Sequence, residues 1–492
     1  INSNQKDSDG NRLVANPHTS GRFHSNWLSL IYARLKLARN LLRDDGVILI
    51  SIDDNEQANL KRLCDEVFGE QNFIGLFVVN ASPSGIDYGH MAKTHDYAIF
   101  YAKDVEKATT NQLREDSKEF RYSDEVGGFN IYPLYNGNVA FNPKTRPNLY
   151  YQFYLNPNNN ISDEFYEISL ESHQGWVEVW PVVSRKEGIS RVWRWGKPKA
   201  QEGLNKEIIG YKGESGEFRI VQKSRHTTKV IRSLLLDNEV SSRRGTGDFE
   251  KLFNGKIFSF PKSVELIRRF VEVGTGEDDI VLDFFSGSST TAHAVMKVNA
   301  EDGGNRRFIM VQLPEECGQN TEAFKAGYNT IADIGKERIR RAGCKIKEGQ
   351  HHSDWNKDIG FRVLKIDTSN MKEVYYTPDD ISQSLLFDHV NNIREGRTSE
   401  DLLFQVLLDW GVDLALPISQ QSIDGKTVFF VDCNALIACF DTGIDEEFVK
   451  QLAGHKPLRV VFCDAGFASD SVKINVEQVF NLLSPATEIK TL

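Results

Sequence analysis

The chain has 492 residues, of which 40% are hydrophobic and 26% charged, values typical of a globular protein of two to four domains. It has no apolar run of membrane-spanning length and no apolar signal segment, so we expect neither a transmembrane nor a secreted protein. Six scattered cysteines without a Cys-x-x-Cys pair favour reduced thiols in a cytoplasmic protein and disfavour zinc. The net charge of −10 argues against a uniformly basic nucleic-acid coat, although a local basic groove stays open.

The N-terminal part of the chain alternates helices and strands. An apolar stripe over 26–43 predicts a helix with Ser25 as its N-cap. Residues 47–51 form a fully apolar strand, and the spacing of Asp53 and Glu56 predicts a capping box that opens a second helix. Helix, buried strand and helix in this order predict a parallel sheet that is covered on both faces.

Two further strands, 73–80 and 97–101, are expected to complete the same layer. Asp53 and Asp54 follow the end of the first strand, where open α/β sheets bind ligands. They are candidates for a site, and a helix cap with a solvated neighbour is the favoured alternative.

Residues 104–250 differ in kind from the rest of the chain. Turn sequences recur between short β-type runs, and four of the seven tryptophans fall between positions 176 and 195. From Arg185 to Arg244 there are 15 Lys or Arg against 7 Asp or Glu, a local charge of +8. A basic, aromatic, mostly β insert suits nucleic-acid binding, because cations offset phosphates and rings contact bases. The best phosphate-binding candidates are Lys223, Arg225, Lys229, Arg232, Arg243 and Arg244.

Each of these cations taken singly is more readily explained as solvated surface charge, and the tryptophans are equally well explained by a β core. The regional excess of positive charge therefore carries the prediction, and no single residue does.

The segment from Ile280 to Met296 has the strongest site pattern in the chain. An apolar run over 280–282 predicts a strand, Ser286-Gly287-Ser288-Ser289 predicts a tight turn, and a helix starts at Thr290. Such a turn lets a ligand approach the backbone, and the helix start offers unpaired N–H groups. No Gly-Lys-Ser/Thr and no spaced glycines of a dinucleotide fingerprint are present, which argues for a ligand that presents no phosphates here. An ordinary strand-to-helix loop is the alternative.

A second strand over 308–312 ends 25 residues after Gly287. A polar side chain at that end is placed to bond the ribose hydroxyls of an adenosyl ligand, and Gln312 is the candidate, with Glu315 as the fallback. A helix over 328–342 is expected to close this part of the fold.

Residues 348–360 form a polar linker that contains His351-His352, for which a solvated loop is favoured over a metal site. From Phe361 onward the chain predicts a separate α/β domain. No catalytic constellation stands out there, so assembly or partner binding is the expected role.

In combination these segments resemble the modification (Mod) subunits of Type III restriction-modification systems, which are S-adenosylmethionine-dependent DNA adenine methyltransferases of the permuted β class. The run Asp283-Phe284-Phe285-Ser286-Gly287-Ser288-Ser289-Thr290-Thr291 resembles their cofactor motif D-x-F-x-G-S-G-T-T. Phe260-Pro261-Lys262-Ser263 resembles the preceding cofactor motif, and residues 26–55 resemble the block that follows the catalytic motif. The resemblance covers nearly the whole chain.

The resemblance implies a Rossmann-like α/β methyltransferase core in two halves, 1–103 and 251–347, with a target-recognition insert at 104–250 and a C-terminal α/β domain at 348–492 for subunit contacts. It also implies S-adenosylmethionine as cofactor, and double-stranded DNA, a second copy of the chain and the restriction (Res) subunit as partners, with no metal and no membrane. The implied cofactor-binding residues are Phe260, Pro261, Lys262, Asp283, Phe285, Gly287, Ser288, Ser289, Thr290, Thr291 and Gln312.

Two departures from the family pattern bear on function. Ser289 stands where the family has a second glycine, and a Cβ there hinders close backbone approach or a positive φ. The catalytic Asp-Pro-Pro-Tyr, whose polar groups accept the adenine amine hydrogens and whose ring stacks on the flipped base, is absent from these residues. Residues 1–24 have loop composition, and we expect the motif to lie before Ile1.

Without that motif we expect no catalysis by these residues alone, since each lost polar contact costs on the order of 10²–10³ in rate. Two alternatives stay open at this point: a non-catalytic DNA-specificity or assembly module, and a cytosine-N4 DNA methyltransferase.

Overall fold

The computed structural model describes residues 23–87, 90–115, 119–162, 164–213, 216–372 and 393–492. The chain divides after Phe361 into two compact units. Residues 1–22 of the predicted N-terminal loop lie outside the described residues. The first elements of unit 1 are α1 (Phe23–Leu41), β1 (Val47–Ile52), α2 (Gln57–Phe68), β2 (Phe73–Val79), β3 (Ile86–Asp87), β4 (Ala92–Lys93) and β5 (Asp96–Ala102).

Helices α1 and α2 pack together over one face of the first sheet. Leu35 of α1 and Leu60 of α2 are almost fully buried in this contact. Helix α1 begins three residues before its predicted start, so Ser25 lies in its first turn and the predicted cap is wrong.

The predicted capping box at the start of α2 is also wrong. Asp53 accepts hydrogen bonds from the backbone and the side chain of Asn55, while Glu56 itself is the N-cap. The Glu56 carboxylate contacts His24 Nδ1 at 2.6 Å and accepts from Asn59. Asp54 forms an ion pair with Lys93.

The first sheet has the strand order β1-β5-β2-β15, where β15 is Leu234–Leu235. Strand β5 runs antiparallel to both β1 and β2, and β15 is parallel to β2. The prediction of a parallel sheet is therefore wrong for β1, β5 and β2. β1 and β2 do run in the same direction, as a helical crossover requires, but β5 lies between them in the opposite direction.

The insert forms its own antiparallel sheet of seven strands. The elements here are β6 (Leu113–Arg114), β7 (Tyr122–Asp124), β8 (Gly127–Pro133), β9 (Phe153–Ser162), β10 (Phe165–Ser169), β11 (Val177–Val179), α3 (Lys197–Gly203), β12 (Ile208–Lys212), β13 (Phe218–Ser224) and β14 (Thr228–Lys229). The strand order in the sheet is β11-β9-β10-β12-β13-β8-β7. Trp193 is almost fully buried in its core, whereas Trp180 is 40% exposed. A β core thus accounts for part of the tryptophan cluster.

The second half of the core consists of two parallel strands with helices packed beside them. The elements are α4 (Ser242–Phe253), α5 (Val264–Gly274), β16 (Ile280–Asp283), α6 (Thr290–Asp302), β17 (Arg307–Met310), α7 (Glu322–Lys325) and α8 (Ile331–Glu348). Strand β16 pairs with β17, and α5, α6 and α8 pack beside them. Strand β17 ends two residues before Gln312. Helix α8 begins three residues after the predicted start and extends further, and a capping box of Thr330 and Asp333 opens it.

Unit 2 is a five-stranded mixed sheet with helices on both faces. The elements are α9 (Ser399–Asp409), β18 (Ile418–Ile423), β19 (Lys426–Val431), β20 (Leu436–Cys439), α10 (Glu446–Gly454), β21 (Arg459–Phe462), α11 (Asp470–Leu483) and β22 (Glu488–Thr491). Strand β19 runs antiparallel to both β18 and β20, and β20, β21 and β22 are parallel. Alternate residues of β19 pack against α9 on one face and against α10 and α11 on the other, as period-2 burial of both faces requires.

Within the described ranges, no helix has the length and apolar character that crossing a membrane requires. The mixture of parallel strands and covering helices confirms the predicted α/β class.

Candidate functional site

The loop between β16 and α6 is fixed at both ends by Asp283. The carboxylate accepts from Thr291 Oγ1 at 2.6 Å and from the backbone N–H of Phe285 at 3.1 Å. The last residue of the strand is therefore tied to the first turn of the helix. The predicted order of strand, turn and helix from Ile280 to Met296 is confirmed.

The turn depends on two residues in the left-handed region. Gly287 has φ +50°, and the nearest atom to the position of a Cβ on it is Cζ of Phe258 at 3.9 Å, so this side of the backbone is open. Ser289 has φ +59° and ψ +44° and is the N-cap of α6, although its side chain makes no capping hydrogen bond. The position thus requires the positive φ for which a glycine is best suited.

Gln312, the predicted ribose-binding residue, lies at this loop. Its Oε1 accepts from the backbone N–H of Gly287 at 2.7 Å, and its Nε2 donates to the carbonyl oxygen of Leu313 at 3.2 Å. The backbone N–H of Ser286 donates to the carbonyl of Val311, which adds a second connection to the same segment. The side chain of Gln312 therefore holds the backbone of the turn through its hydrogen bond to Gly287.

The segment Phe260-Pro261-Lys262 approaches the same loop through Phe258. Phe260 is 84% exposed with φ +59°, and Lys262 donates to Asp96 at 3.2 Å. Gly245 is required here, because a Cβ on it would lie 2.5 Å from the carbonyl oxygen of Pro261. The fold therefore brings the segment 260–262 close to the loop between β16 and α6, and both segments had been identified in the sequence.

The surroundings of the turn fit a nucleoside-like ligand. Phe260 and Phe285 expose aromatic surface, with 55% of Phe285 exposed and the guanidinium of Arg34 over its ring at 5.8 Å. Ser286 Oγ is buried and has no hydrogen-bond partner among the described residues. Exposed apolar rings and an unsatisfied hydroxyl next to an open backbone are features of a binding site.

Arg338 and Gly335 of α8 pack against the turn, and the sequence patterns did not identify either of them. Arg338 is 1% exposed, and its Nη1 donates to Ser288 Oγ at 2.9 Å and to Thr290 Oγ1 at 2.6 Å. Gly335 lies one turn earlier, where a Cβ would be 2.6 Å from Ser289 Oγ. The signal in the sequence was an arginine on the apolar stripe of α8, in line with Ile334 and Ala342.

Burial lowers the pKa values of two side chains close to the turn, Arg338 and His293. Burial lowers the pKa of Arg338 to about 10. Burial, with Arg338 as a second cause, lowers the pKa of His293 to about 3, so His293 is neutral at pH 7. Its Nδ1 is buried without a partner among the described residues.

The basic candidates fall into two groups. Lys223 is 7% exposed and donates to Asp124 at 2.7 Å, and Arg225 pairs with the same carboxylate, whose pKa these two cations hold below its usual range. Lys229 pairs with Glu115 at 2.9 Å. These three cations already have anionic partners, and the buried Lys223 is not accessible to a phosphate.

The remaining candidates are arginines at the surface. Arg232 is exposed and follows β14, and Arg243 and Arg244 are exposed in the first turn of α4. Arg244 pairs with Asp248 at 3.1 Å. Helix α4 contacts α8 and so belongs to the core beside the turn, outside the seven-stranded sheet. In the part of the chain that the structure describes, no group of three or more His, Cys, Asp or Glu is placed to hold a metal ion.

Comparison with known proteins identifies the class. The family model N6_N4_Mtase, described as DNA methylase, matches residues 7–325 and so includes the turn and its surroundings. The chain therefore belongs to the DNA methylase family.

Within that family its relatives include Type III restriction-modification Mod subunits and the Type II methyltransferase M.KpnI of Klebsiella pneumoniae, which is 33% identical over 64% of this chain and 74% of that protein. It is 31% identical to the EcoPI Mod subunit of Escherichia phage P1, over 94% of this chain and 72% of that protein. It is 32% identical to the StyLTI Mod subunit of Salmonella typhimurium, over 73% of this chain and 50% of that protein. The chain thus belongs with the Mod subunits and spans between half and three quarters of these two relatives. The M1.HpyAVI–SAM complex is 12% identical, with a TM-score of 0.26, over 63% of this chain and 82% of its own.

Proposed function

We propose that this chain is the cofactor- and DNA-binding part of a site-specific adenine-N6 DNA methyltransferase, the modification subunit of a Type III restriction-modification system. The observation that carries the proposal is the open left-handed turn at Gly287, held by Asp283 and Gln312 at the ends of two parallel strands. Ligands bind at that end of parallel strands in α/β folds.

The residues of the turn fit S-adenosylmethionine, which supplies an activated methyl group on its sulfonium when bound. The first turn of α6 offers backbone N–H groups, and the exposed rings of Phe260 and Phe285 suit an adenine face. Asp283 and Gln312 mainly stabilise the conformation of the turn, since their side-chain oxygens already accept hydrogen bonds from it. The residues proposed to hold the cofactor are Phe260, Pro261, Lys262, Asp283, Phe285, Gly287, Ser288, Ser289, Thr290, Thr291 and Gln312.

Double-stranded DNA is the proposed substrate, and the exposed Arg232 and Arg243 are the proposed phosphate contacts. Cations at the surface offset phosphate charge without reading sequence. The paired Lys223, Arg225, Lys229 and Arg244 are assigned structural roles instead.

The proposed partners are a second copy of the chain and a Res subunit, with unit 2 as the contact region. Unit 2 leaves large apolar side chains exposed, among them Ile474 and Leu482 at 71% and 83%. Light scattering of the chain alone and with a Res subunit tests this part, and a monomer in both would contradict it.

Cofactor binding is tested by calorimetric titration with S-adenosylhomocysteine. Gly287→Ala places a methyl on the open side of the turn and is expected to abolish binding. Gly188→Ala is the matched control, because Gly188 also has a positive φ, +65°, with nothing within 4 Å of its Cβ position, but belongs to the insert. Absence of binding by the unmodified chain, or equal binding by both variants, would contradict the proposal.

A further inference from the structure

A single guanidinium nitrogen of Arg338 holds both neighbours of Ser289. It donates to the side chains of Ser288 and Thr290, which flank the left-handed residue on either side. Gly335, on the same face of α8, leaves the space that the Ser289 hydroxyl occupies. Strained backbone conformations persist only where surrounding contacts over-determine them, and α8 supplies those contacts here.

Burial of Arg338 costs free energy that burial of an apolar side chain does not, because the guanidinium is charged. Its side chain is buried and has no direct ion-pair partner among the described residues; only the more distant carboxylate of Asp248 acts favourably on its charge there. Its Nε has no hydrogen-bond partner in the described part of the chain, and its Cζ lies 5.4 Å from the ring centroid of Phe249. A buried unpaired charge is expensive, so a role specific to the turn explains its presence better than stability does.

We propose that Arg338 is a positioning residue that holds residues 286–290 in the conformation that binds S-adenosylmethionine. It acts through Ser288 and Thr290. The choice of S-adenosylmethionine as the ligand rests on the proposed function, whereas the effect of Arg338 on the conformation of the turn does not. Ligand binding and turn conformation are therefore measured separately.

The test compares Arg338→Met, Arg338→Lys and the matched control Arg340→Met in the full chain. Arg340 is three-fifths exposed on the same helix and pairs with Glu337. Titration with S-adenosylhomocysteine is expected to show a Kd about 10-fold higher for Arg338→Met, because a charged hydrogen-bond donor is lost, with an intermediate value for Arg338→Lys. Arg340→Met is expected to bind like the unmodified chain.

Hydrogen exchange of the amides in 284–293, measured without ligand, is the second readout. Arg338→Met is expected to speed exchange there about 10-fold and to leave the insert strands unchanged. If Arg338→Met does not fold, Arg338→Lys carries the test, since one ammonium cannot reproduce the guanidinium geometry.

A double variant separates positioning from a merely structural role. Ser288→Ala combined with Arg338→Met is expected to exchange the amides in 284–293 no faster than Arg338→Met alone, because both changes remove the same hydrogen bond. Exchange without ligand is the readout here, since Ser288 is itself a proposed cofactor contact. Additive increases in exchange, or unchanged Kd and unchanged exchange in a folded Arg338 variant, would overturn the proposal. If the unmodified chain itself fails to bind, the proposed function fails, while the exchange result still decides the role of Arg338.

Discussion

Ser289→Gly is expected to stabilise the turn at the centre of the candidate site. A residue with a Cβ in the left-handed region costs about 1–2 kcal/mol relative to glycine. Glycine also gains about 0.5–1 kcal/mol of backbone freedom in the open state. Since Ser289 makes no capping hydrogen bond that would be lost, the difference between these two effects is a net gain of about 0–1.5 kcal/mol, centred near 1 kcal/mol.

Peptide-resolved hydrogen exchange over 284–294 measures this gain locally. A change of about 1 kcal/mol corresponds to roughly 5-fold slower exchange of the protected amides. Local exchange is preferable to a thermal midpoint, because a chain of two units need not unfold in one transition. Faster exchange in Ser289→Gly would refute the assignment of strain to this residue.

The same reasoning predicts coupling between Ser289 and Gly335. Gly335→Ala places a Cβ 2.6 Å from Ser289 Oγ and 3.3 Å from the carbonyl oxygen of Gly287. We expect it to destabilise the turn by about 1–3 kcal/mol as an overpacking change, and to lose most of that effect in Ser289→Gly. Gly247→Ala in α4, with nothing within 4 Å of its Cβ position, is the control and is expected to show no coupling. Strict additivity for the 289/335 pair would refute the contact.

Other regions of the chain give further predictions. His293, with its lowered pKa, stays neutral when folded while the unfolded chain takes a proton below about pH 6.5, so stability is expected to fall by about 2 kcal/mol from pH 7 to pH 5. Urea unfolding of His293→Gln is expected to lack this loss, and an equal loss in both proteins would contradict it. Asp124→Asn leaves the buried Lys223 without its carboxylate and is expected to destabilise the insert by about 3–5 kcal/mol in urea unfolding followed by tryptophan fluorescence; a change below about 1 kcal/mol would contradict this. Arg232→Gln and Arg243→Gln are each expected to weaken DNA binding and to reduce the slope of log K against log salt by about 0.9, and an unchanged slope would remove that residue from the interface.

Local patterns predicted the secondary structure around Gly287 well, because it is built from neighbouring residues. The strand and helix on either side of Gly287 follow from an apolar run, a cluster of small residues and a helical segment, and all three lie within 17 residues of sequence. The position of Gln312 was predictable for a similar reason, because two parallel strands must place their ends together.

What local patterns could not predict depends on contacts between distant residues. Strand β5 has the same apolar pattern as a parallel strand, and only its pairing with β1 and β2 gives its direction. Arg338 lies on the apolar stripe of α8, so its burial could be predicted, but the residues that it contacts, Ser288 and Thr290, are 50 and 48 positions away and could not.

The same limit changes how the charge of the insert should be interpreted. Counting residues gives an excess of positive charge between Arg185 and Arg244, yet Lys223 and Arg225 share the carboxylate of Asp124, which offsets one of their two charges, and Lys229 pairs with Glu115. Both carboxylates lie outside that range. A cation that is already paired with a carboxylate neutralises no phosphate when DNA binds, so it releases no counterions. Such a cation stabilises the fold and does not add to the affinity for the phosphate backbone. DNA binding by this chain is therefore expected to depend on fewer cations than the sequence suggests, and the salt slope counts them directly.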